Sequence, residues 1–157
     1  AGGAAAGVLG PLIAARPRAV VVVNRTAAKA AELARRHAGW AHEHGVELKA
    51  GSLPEALALC SPGCEVLVNG TASSLEGAEV PVPASVLRPG ALVVDMMYGA
   101  KAQAFLDWAK EHGAQARDGL GMLVEQAAES FALWRGVRPQ TAPVLEALRR
   151  QLLGSKG

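Results

Sequence analysis

Residues 19–25 read AVVVVNR, a five-residue apolar run that stops on Asn24 and Arg25. A half-exposed strand would show a polar residue at every second position. An unbroken run of this length predicts a strand covered on both faces, as in a parallel sheet. Working outward, Thr26 stands where it would cap an amphipathic helix running to about His44, with Ala30, Leu33, Ala34 and Ala41 on one side. Residues 46–49 predict a short second strand. Ser52 then predicts the cap of a short helix with Pro54 in its first turn and Leu53, Leu57 and Cys60 on its inner face. Residues 66–69 (VLVN) and 91–95 (ALVVD) predict two further buried strands. Between them lies a Pro- and Gly-rich loop in which Pro83 opens one helical turn before Leu87. A helix over residues 102–112 leads to a short edge strand at 115–117. Two helices, 119–134 and 141–153, separated at Gly136 and Pro139, complete the pattern, and 154–157 reads as a frayed tail. Strand and helix alternate for about 120 residues with short connections, the pattern of a doubly wound parallel α/β sheet.

The composition narrows the class. A chain of 157 residues holds one domain with a real core. Hydrophobic residues make up 50% and charged residues 19%, and alanine supplies much of the apolar share, which favours a helix-rich α/β protein over a membrane protein. The formal charge is only +2 and the basic residues are scattered, so neither nucleic acid nor an anionic membrane is expected as a partner. Residues 2–15 carry no charge and resemble a signal-peptide core. They lack an initiator methionine and a basic flank and are too short to span a bilayer, so a glycine-rich turn entering a helix is the better reading. Cys60 and Cys64 have no second pair or histidine to complete a zinc set, and read as reduced thiols suited to a cytoplasmic setting. No metal is expected.

Open parallel sheets bind ligands outside the carboxyl ends of their strands, so the residues following each strand carry the chemistry. The chain opens Ala1-Gly2-Gly3-Ala4-Ala5-Ala6-Gly7. With a glycine ahead of Ala1 this would read G-x-G-x-x-A, in which backbone N–H groups and the helix dipole receive a pyrophosphate. Alone, the cluster serves equally well as close packing. About twenty residues further on, NAD-binding domains place a carboxylate for the adenine ribose. Here the residues are Asn24-Arg25-Thr26. An arginine fork receives a 2′-phosphate that a carboxylate would repel, which points to NADP. The turn Asn69-Gly70-Thr71-Ala72 passes either a ribose or nothing. Asp95-Met96-Met97-Tyr98 offers a thioether for a nicotinamide face and a phenol for a polar substrate, or merely ends a strand.

Taken together, AGGAAAGVLGPL, NRTAAKAAELA, VNGTASSL, VVDMMYG and above all DGLGMLVEQAAESFALWRGVRP resemble the shikimate dehydrogenase family over essentially all of residues 1–153. The resemblance implies a Rossmann-type doubly wound sheet lacking its first strand. It implies reduction of 3-dehydroshikimate to shikimate with NADPH, on the route to chorismate and the aromatic amino acids, with this chain as the cofactor-binding half. It further implies that Ala1, Gly2, Gly3 and Ala4 belong to the phosphate loop, and that Asn24, Arg25, Thr26 and Lys29 clamp the adenosine phosphate. Thr71 and Ala72 fall in the ribose loop, and Met96, Gly119 and Met122 line the nicotinamide. Tyr98 and Gln126 fall on substrate-contacting positions. Two departures stand out: Gln103-Ala104 where relatives have Thr-Pro, which bears on the local helix cap, and Ser74 in place of a common glycine.

The family's catalytic lysine, in an N-x-T-x-P-x-K motif, and its aspartate partner have no counterpart here, and both are expected upstream in a substrate domain. Residues 119–153 would then bridge to that domain. The partner expected is the small-molecule substrate, with homodimerisation left open. Two other readings stay open as well: a quinate/shikimate dehydrogenase paralogue, and a non-catalytic NADP-binding module.

Overall fold

The computed structural model describes residues 2–71, 80 and 82–154, with side chains to residue 152. The chain order is α1 (Gly3–Ala14), β1 (Ala19–Asn24), α2 (Ala27–Glu43), β2 (Glu47–Ser52), α3 (Ala56–Leu59), β3 (Cys64–Asn69), β4 (Leu87–Asp95), α4 (Gln103–Glu111), β5 (Gln115–Arg117), α5 (Leu120–Arg135) and α6 (Ala142–Gly154). Short 3-10 turns at Ala84–Val86 and Gly99–Ala102 precede β4 and α4. Every strand pair is parallel, as the apolar runs predict. β1 pairs with β2, bringing Val20 opposite Leu48 and Val22 opposite Ala50. β4 lies between β3 and β5, with Val93 opposite Leu67 and Ala116.

Helices cover both faces, which makes the sheet doubly wound. Leu9 and Ile13 of α1 join Leu33 and Ala41 of α2 and Val46 in one apolar cluster laid against Val20, Val22 and Leu48. A second cluster sets Phe105 and Ala109 of α4 over Val93 and Leu67, with the Phe105 and Trp108 rings stacked at 5.5 Å. Ala56, Val82 and Val86 form a third, reaching Val23 and Leu67. Full burial of each large apolar side chain contributes about 1.5–3 kcal/mol, and these clusters fix the layers.

The two-stranded β1–β2 sheet and the three-stranded β3–β4–β5 sheet are not hydrogen-bonded to each other. Between them runs a slot of about 670 Å³, walled by Val20 to Val23 on one side and by Val66, Leu67 and Val68 on the other. This is the place that the doubly wound order gives to its first strand. The slot explains a departure from expectation: β1 is half-buried at every position rather than buried on both faces. Val66 of β3 is likewise 48% exposed.

Other differences are local. Ser52 ends β2 and caps no helix. α3 begins only at Ala56, and the Glu55 carboxylate turns back to accept the Ser52 N–H at 2.7 Å and its hydroxyl at 2.5 Å, so that hydroxyl is spent as a donor. That shift buries Ala56 and leaves Leu57 46% exposed instead of facing inward. Thr26 occupies the N-cap position of α2, but its hydroxyl makes no capping bond; its N–H donates to Asn24 Oδ1 at 2.9 Å. Where Gln103-Ala104 stand, buried Ala102 occupies the N-cap position and the Gln103 amide donates to Asp107. α5 stops at Gly136, whose φ of +71° is the left-handed conformation that glycine adopts freely.

Cys60 and Cys64 are free thiols at the α3–β3 junction. The Cys64 S–H donates to Cys60, whose thiol is lowered to about 7, with burial opposing and Lys49 assisting; the same bond pushes Cys64 up. Among the described residues no helix is long and apolar enough to cross a membrane, and no three His, Cys, Asp or Glu side chains gather as a metal set.

Candidate functional site

Because all strands run one way, Asn24, Asn69, Asp95 and Arg117 end at the same edge of the fold. α1 begins at that edge too. Gly2 precedes it in an extended conformation without a side-chain cap, and no acidic residue occupies its first turn. The first N–H groups of a helix have no partner within it and carry partial positive charge, so this end presents donors outward. A Cβ on Gly2 or Gly3 would meet nothing within 4 Å, so the approach to those donors is open. By contrast, a Cβ on Gly70 would stand 3.2 Å from Met96 Sδ and 3.5 Å from the Ala5 methyl. The start of α1, the loop after β3 and the turn after β4 are therefore in contact.

Buried polar groups hold these turns. Asn69 and Asp95, 7% and 0% exposed, end neighbouring strands, with Asn69 Nδ2 3.4 Å from Asp95 Oδ2. Asn69 Oδ1 accepts the Thr71 N–H at 3.1 Å and the Thr71 hydroxyl at 2.8 Å. Asp95 Oδ1 accepts the Met97 N–H at 2.9 Å. Both loops are thus fixed by strand-ending side chains that fold back on the backbone two residues on. Gly119 completes the corner: its N–H donates to Met97 O at 2.8 Å, and a Cβ there would lie 3.1 Å from Met96 Cα and closer still to the Met96 carbonyl. Since the obstacle is backbone, Gly119→Ala is expected to destabilise the fold by about 1–3 kcal/mol through overpacking, with a matching fall in denaturation midpoint. An unchanged midpoint would show that the turn yields.

Asp118, with a side chain only 5% exposed, joins three segments. Its carboxylate accepts the Leu120 N–H at 3.2 Å, the Gly99 N–H at 3.5 Å and Arg149 Nη1 at 2.6 Å, and takes a second bond from Arg149 Nη2. Burial alone would raise its pKa, but the Arg149 guanidinium and the two amides outweigh it and hold the carboxyl below the ordinary aspartate value. The stabilisation this provides is present above that ordinary value, about 4, and is lost as pH falls through the lower folded-state value.

The residues expected at the site fall in three places. Thr71, Met96 and Gly119 share one corner with Ala5, and Gly2, Gly3 and Ala4 stand just ahead of Ala5 at the start of α1. Met122 is half-buried on the first turn of α5, with exposed Gln126 one turn further on, and Tyr98 is 41% exposed at the head of the 3-10 turn. Asn24, Arg25, Thr26 and Lys29 lie at the same edge, at the end of β1 and the start of α2. Arg25 and Lys29 are exposed and take part in no ion pair among the described residues. Ala1, Ala72 and Ser74 lie outside the described residues. Sequence reasoning passed over the fastening roles of Asp95 and Asp118. An aspartate two residues ahead of a helix is a readable turn signal, but Arg149, 31 residues later, carries none.

A parallel sheet with helices on both faces and an open, glycine-flanked helix start at its carboxyl edge define a Rossmann-type α/β domain. The Shikimate 5'-dehydrogenase C-terminal domain model matches residues 119–149. The chain is 63% identical over 151 residues to the shikimate dehydrogenase (NADP(+)) of Acidovorax ebreus (strain TPSY), covering 95% of this chain and 51% of that protein. Among solved structures, the Thermus thermophilus shikimate 5-dehydrogenase in complex with shikimate is 33% identical with a TM-score of 0.60, covering 85% of this chain and 45% of that one. A shikimate dehydrogenase in complex with NADP+ superposes with a TM-score of 0.71 at 28% identity, covering 97% and 52%. The chain spans about half the length of the curated relatives it matches.

Proposed function

We propose that this chain is the NADP-binding part of a shikimate dehydrogenase that reduces 3-dehydroshikimate to shikimate. The observation that carries the reading is Arg25: an exposed guanidinium with no ion pair among the described residues, at the strand end where an NAD-specific domain sets a carboxylate. The residues present fit the dinucleotide. Open glycines at the uncapped start of α1 leave room for a pyrophosphate, and Arg25 and Lys29 supply cations for a 2′-phosphate. When bound, NADPH supplies the hydride that reduces the ketone carbon.

In this reading the chain's own residues bind and orient. Gly2 to Ala4 receive the pyrophosphate with backbone N–H groups, and Asn24 and Thr26 flank the Arg25 clamp. Thr71, held by Asn69, faces the ribose on the nicotinamide side. Met96, Gly119 and Met122 form the wall behind the ring, while Tyr98 and Gln126 meet the substrate's hydroxyls. Protonation of the new alkoxide falls to a lysine–aspartate pair in a separate substrate domain. Exposed Phe131, Leu133 and Trp134 near the end of α5, the last two 85% and 80% exposed, supply an apolar surface for that domain. The free thiols accord with a cytoplasmic setting.

The test is NADPH oxidation by the full-length enzyme with 3-dehydroshikimate and, separately, its dehydroquinate analogue. Turnover with the first is expected, and no oxidation with either would sink the reading. In the same assay Gln126→Ala is expected to raise KM for the substrate by roughly tenfold, the worth of about one hydrogen bond. An unchanged KM would remove Gln126 from the substrate site.

A further inference from the structure

Of the eight ion pairs among the described residues, seven place their carboxylate on a side chain at least 42% exposed; Asp118, paired with Arg149, is the exception at 5%. Surface pairs of the first kind contribute little. A buried carboxylate bound two-pronged to a guanidinium is a fixed object, and its other acceptor sites are committed. Here they are committed to the amides of Gly99 and Leu120. Gly99, at φ +65°, follows Tyr98 directly, and Leu120 begins the helix that carries Met122 and Gln126. Leu152, one turn beyond Arg149 on α6, comes within 3.6 Å of where a Gly99 Cβ would be. α6 therefore reaches the Tyr98–Gly99 turn by two routes, indirectly through Asp118, which Arg149 grips, and directly through the apolar Leu152 side chain.

We propose that Asp118 and Arg149 are positioning residues: α6 holds the Asp118 carboxylate in place, and that carboxylate sets the Tyr98–Gly99 turn against the start of α5. The clamp acts through the backbone, and its effect is on geometry. Tyr98 on one side and Met122 and Gln126 on the other are held at a fixed separation across the site. This inference rests on the shikimate dehydrogenase reading, which makes Tyr98 and Gln126 the substrate side. A displacement of about 1 Å at reacting groups is enough to lower turnover by up to roughly a hundredfold, so a small loosening of this corner is measurable. The nearby cluster of Arg138 with Glu125 and Glu129 is exposed and joins only α5 to the following loop, which makes it the natural control.

The experiment uses the full-length enzyme with Arg149→Ala, Arg149→Lys and Arg138→Ala. Hydrogen exchange of the Gly99 and Leu120 amides, the dissociation constant of NADP+ and the steady-state constants for shikimate are measured for each. In Arg149→Ala the two amides are expected to lose protection. KM for shikimate should rise and kcat fall by a combined factor of roughly ten or more in kcat/KM. NADP+ affinity should stay within about threefold, since Arg25 and the start of α1 lie outside the clamp. Arg149→Lys should restore part of the loss, and Arg138→Ala should change none of these quantities. Deprotected amides with unaltered shikimate kinetics would overturn the proposal, as would a parallel loss of NADP+ binding, shikimate turnover and thermal stability. A wild-type enzyme inert towards shikimate would instead overturn the functional reading on which the proposal stands.

Discussion

Arg25→Asp is expected to weaken NADP+ binding by the full-length enzyme by roughly 30- to 1,000-fold while leaving NAD+ binding unchanged or improved. Hydrogen bonds to charged groups contribute about 1.5–3 kcal/mol each, and the substitution replaces an attraction for the 2′-phosphate with a repulsion. The cause is local: Arg25 sits at the carboxyl end of β1 with an exposed side chain and no ion pair among the described residues, so its charge is available to a ligand. Lys29, one turn into α2, provides a second and weaker cation, and Arg25→Ala should therefore lose less than Arg25→Asp. Fluorescence titration of NADPH and NADH checks both. An NADP/NAD preference that survives Arg25→Asp would move the discrimination elsewhere.

The second large effect concerns stability. The 157-residue polypeptide on its own is expected to unfold at low denaturant or to aggregate. β1 and β3 each have one edge paired and one edge facing the slot, and unpaired strand edges invite association. Amides of β1 and β3 that point into the slot should exchange quickly, while those between β4 and β5 exchange more slowly. Hydrogen exchange by mass spectrometry together with urea denaturation reads both. Cooperative unfolding of a soluble monomer, with both edges protected, would contradict this expectation.

Much of the fold was legible because parallel strands advertise themselves. AVVVVN and the run ending at Asp95 have no polar interruption, and short connections leave room only for crossover helices. β5 falls on residues 115–117 as the pattern predicts, and the last two helices differ from expectation by one residue at each end. Failures cluster where a side chain chooses a partner nearby. Ser52 looks like a helix cap, yet its hydroxyl donates to the Glu55 carboxylate instead of accepting from a helix amide. Thr26 looks like a cap, yet its hydroxyl makes no capping bond. Such contests are decided by small differences in local geometry and leave no trace in periodicity. The candidate site is drawn from the sequence by a different route, through strand ends and through segments resembling a family. Its fastening was not, because Asp118 and Arg149 meet only after α5 and α6 have packed.

The contact of Ala5, Gly70, Met96 and Gly119 has a consequence for how this sequence is free to drift. At residue 70 the one tight neighbour of an added methyl is the Met96 thioether at 3.2 Å, a side chain, while the Ala5 methyl and backbone nitrogen lie at ordinary contact distance. A larger residue there is open to compensation by a smaller one at position 96, so the two positions should vary together among homologues. At residue 119 the neighbour is the Met96 backbone, which every amino acid shares. No exchange at position 96 relieves that crowding, so position 119 should stay glycine whatever stands opposite. Two glycines in one corner of the molecule thus face different evolutionary rules, set by whether main chain or side chain lies across from them.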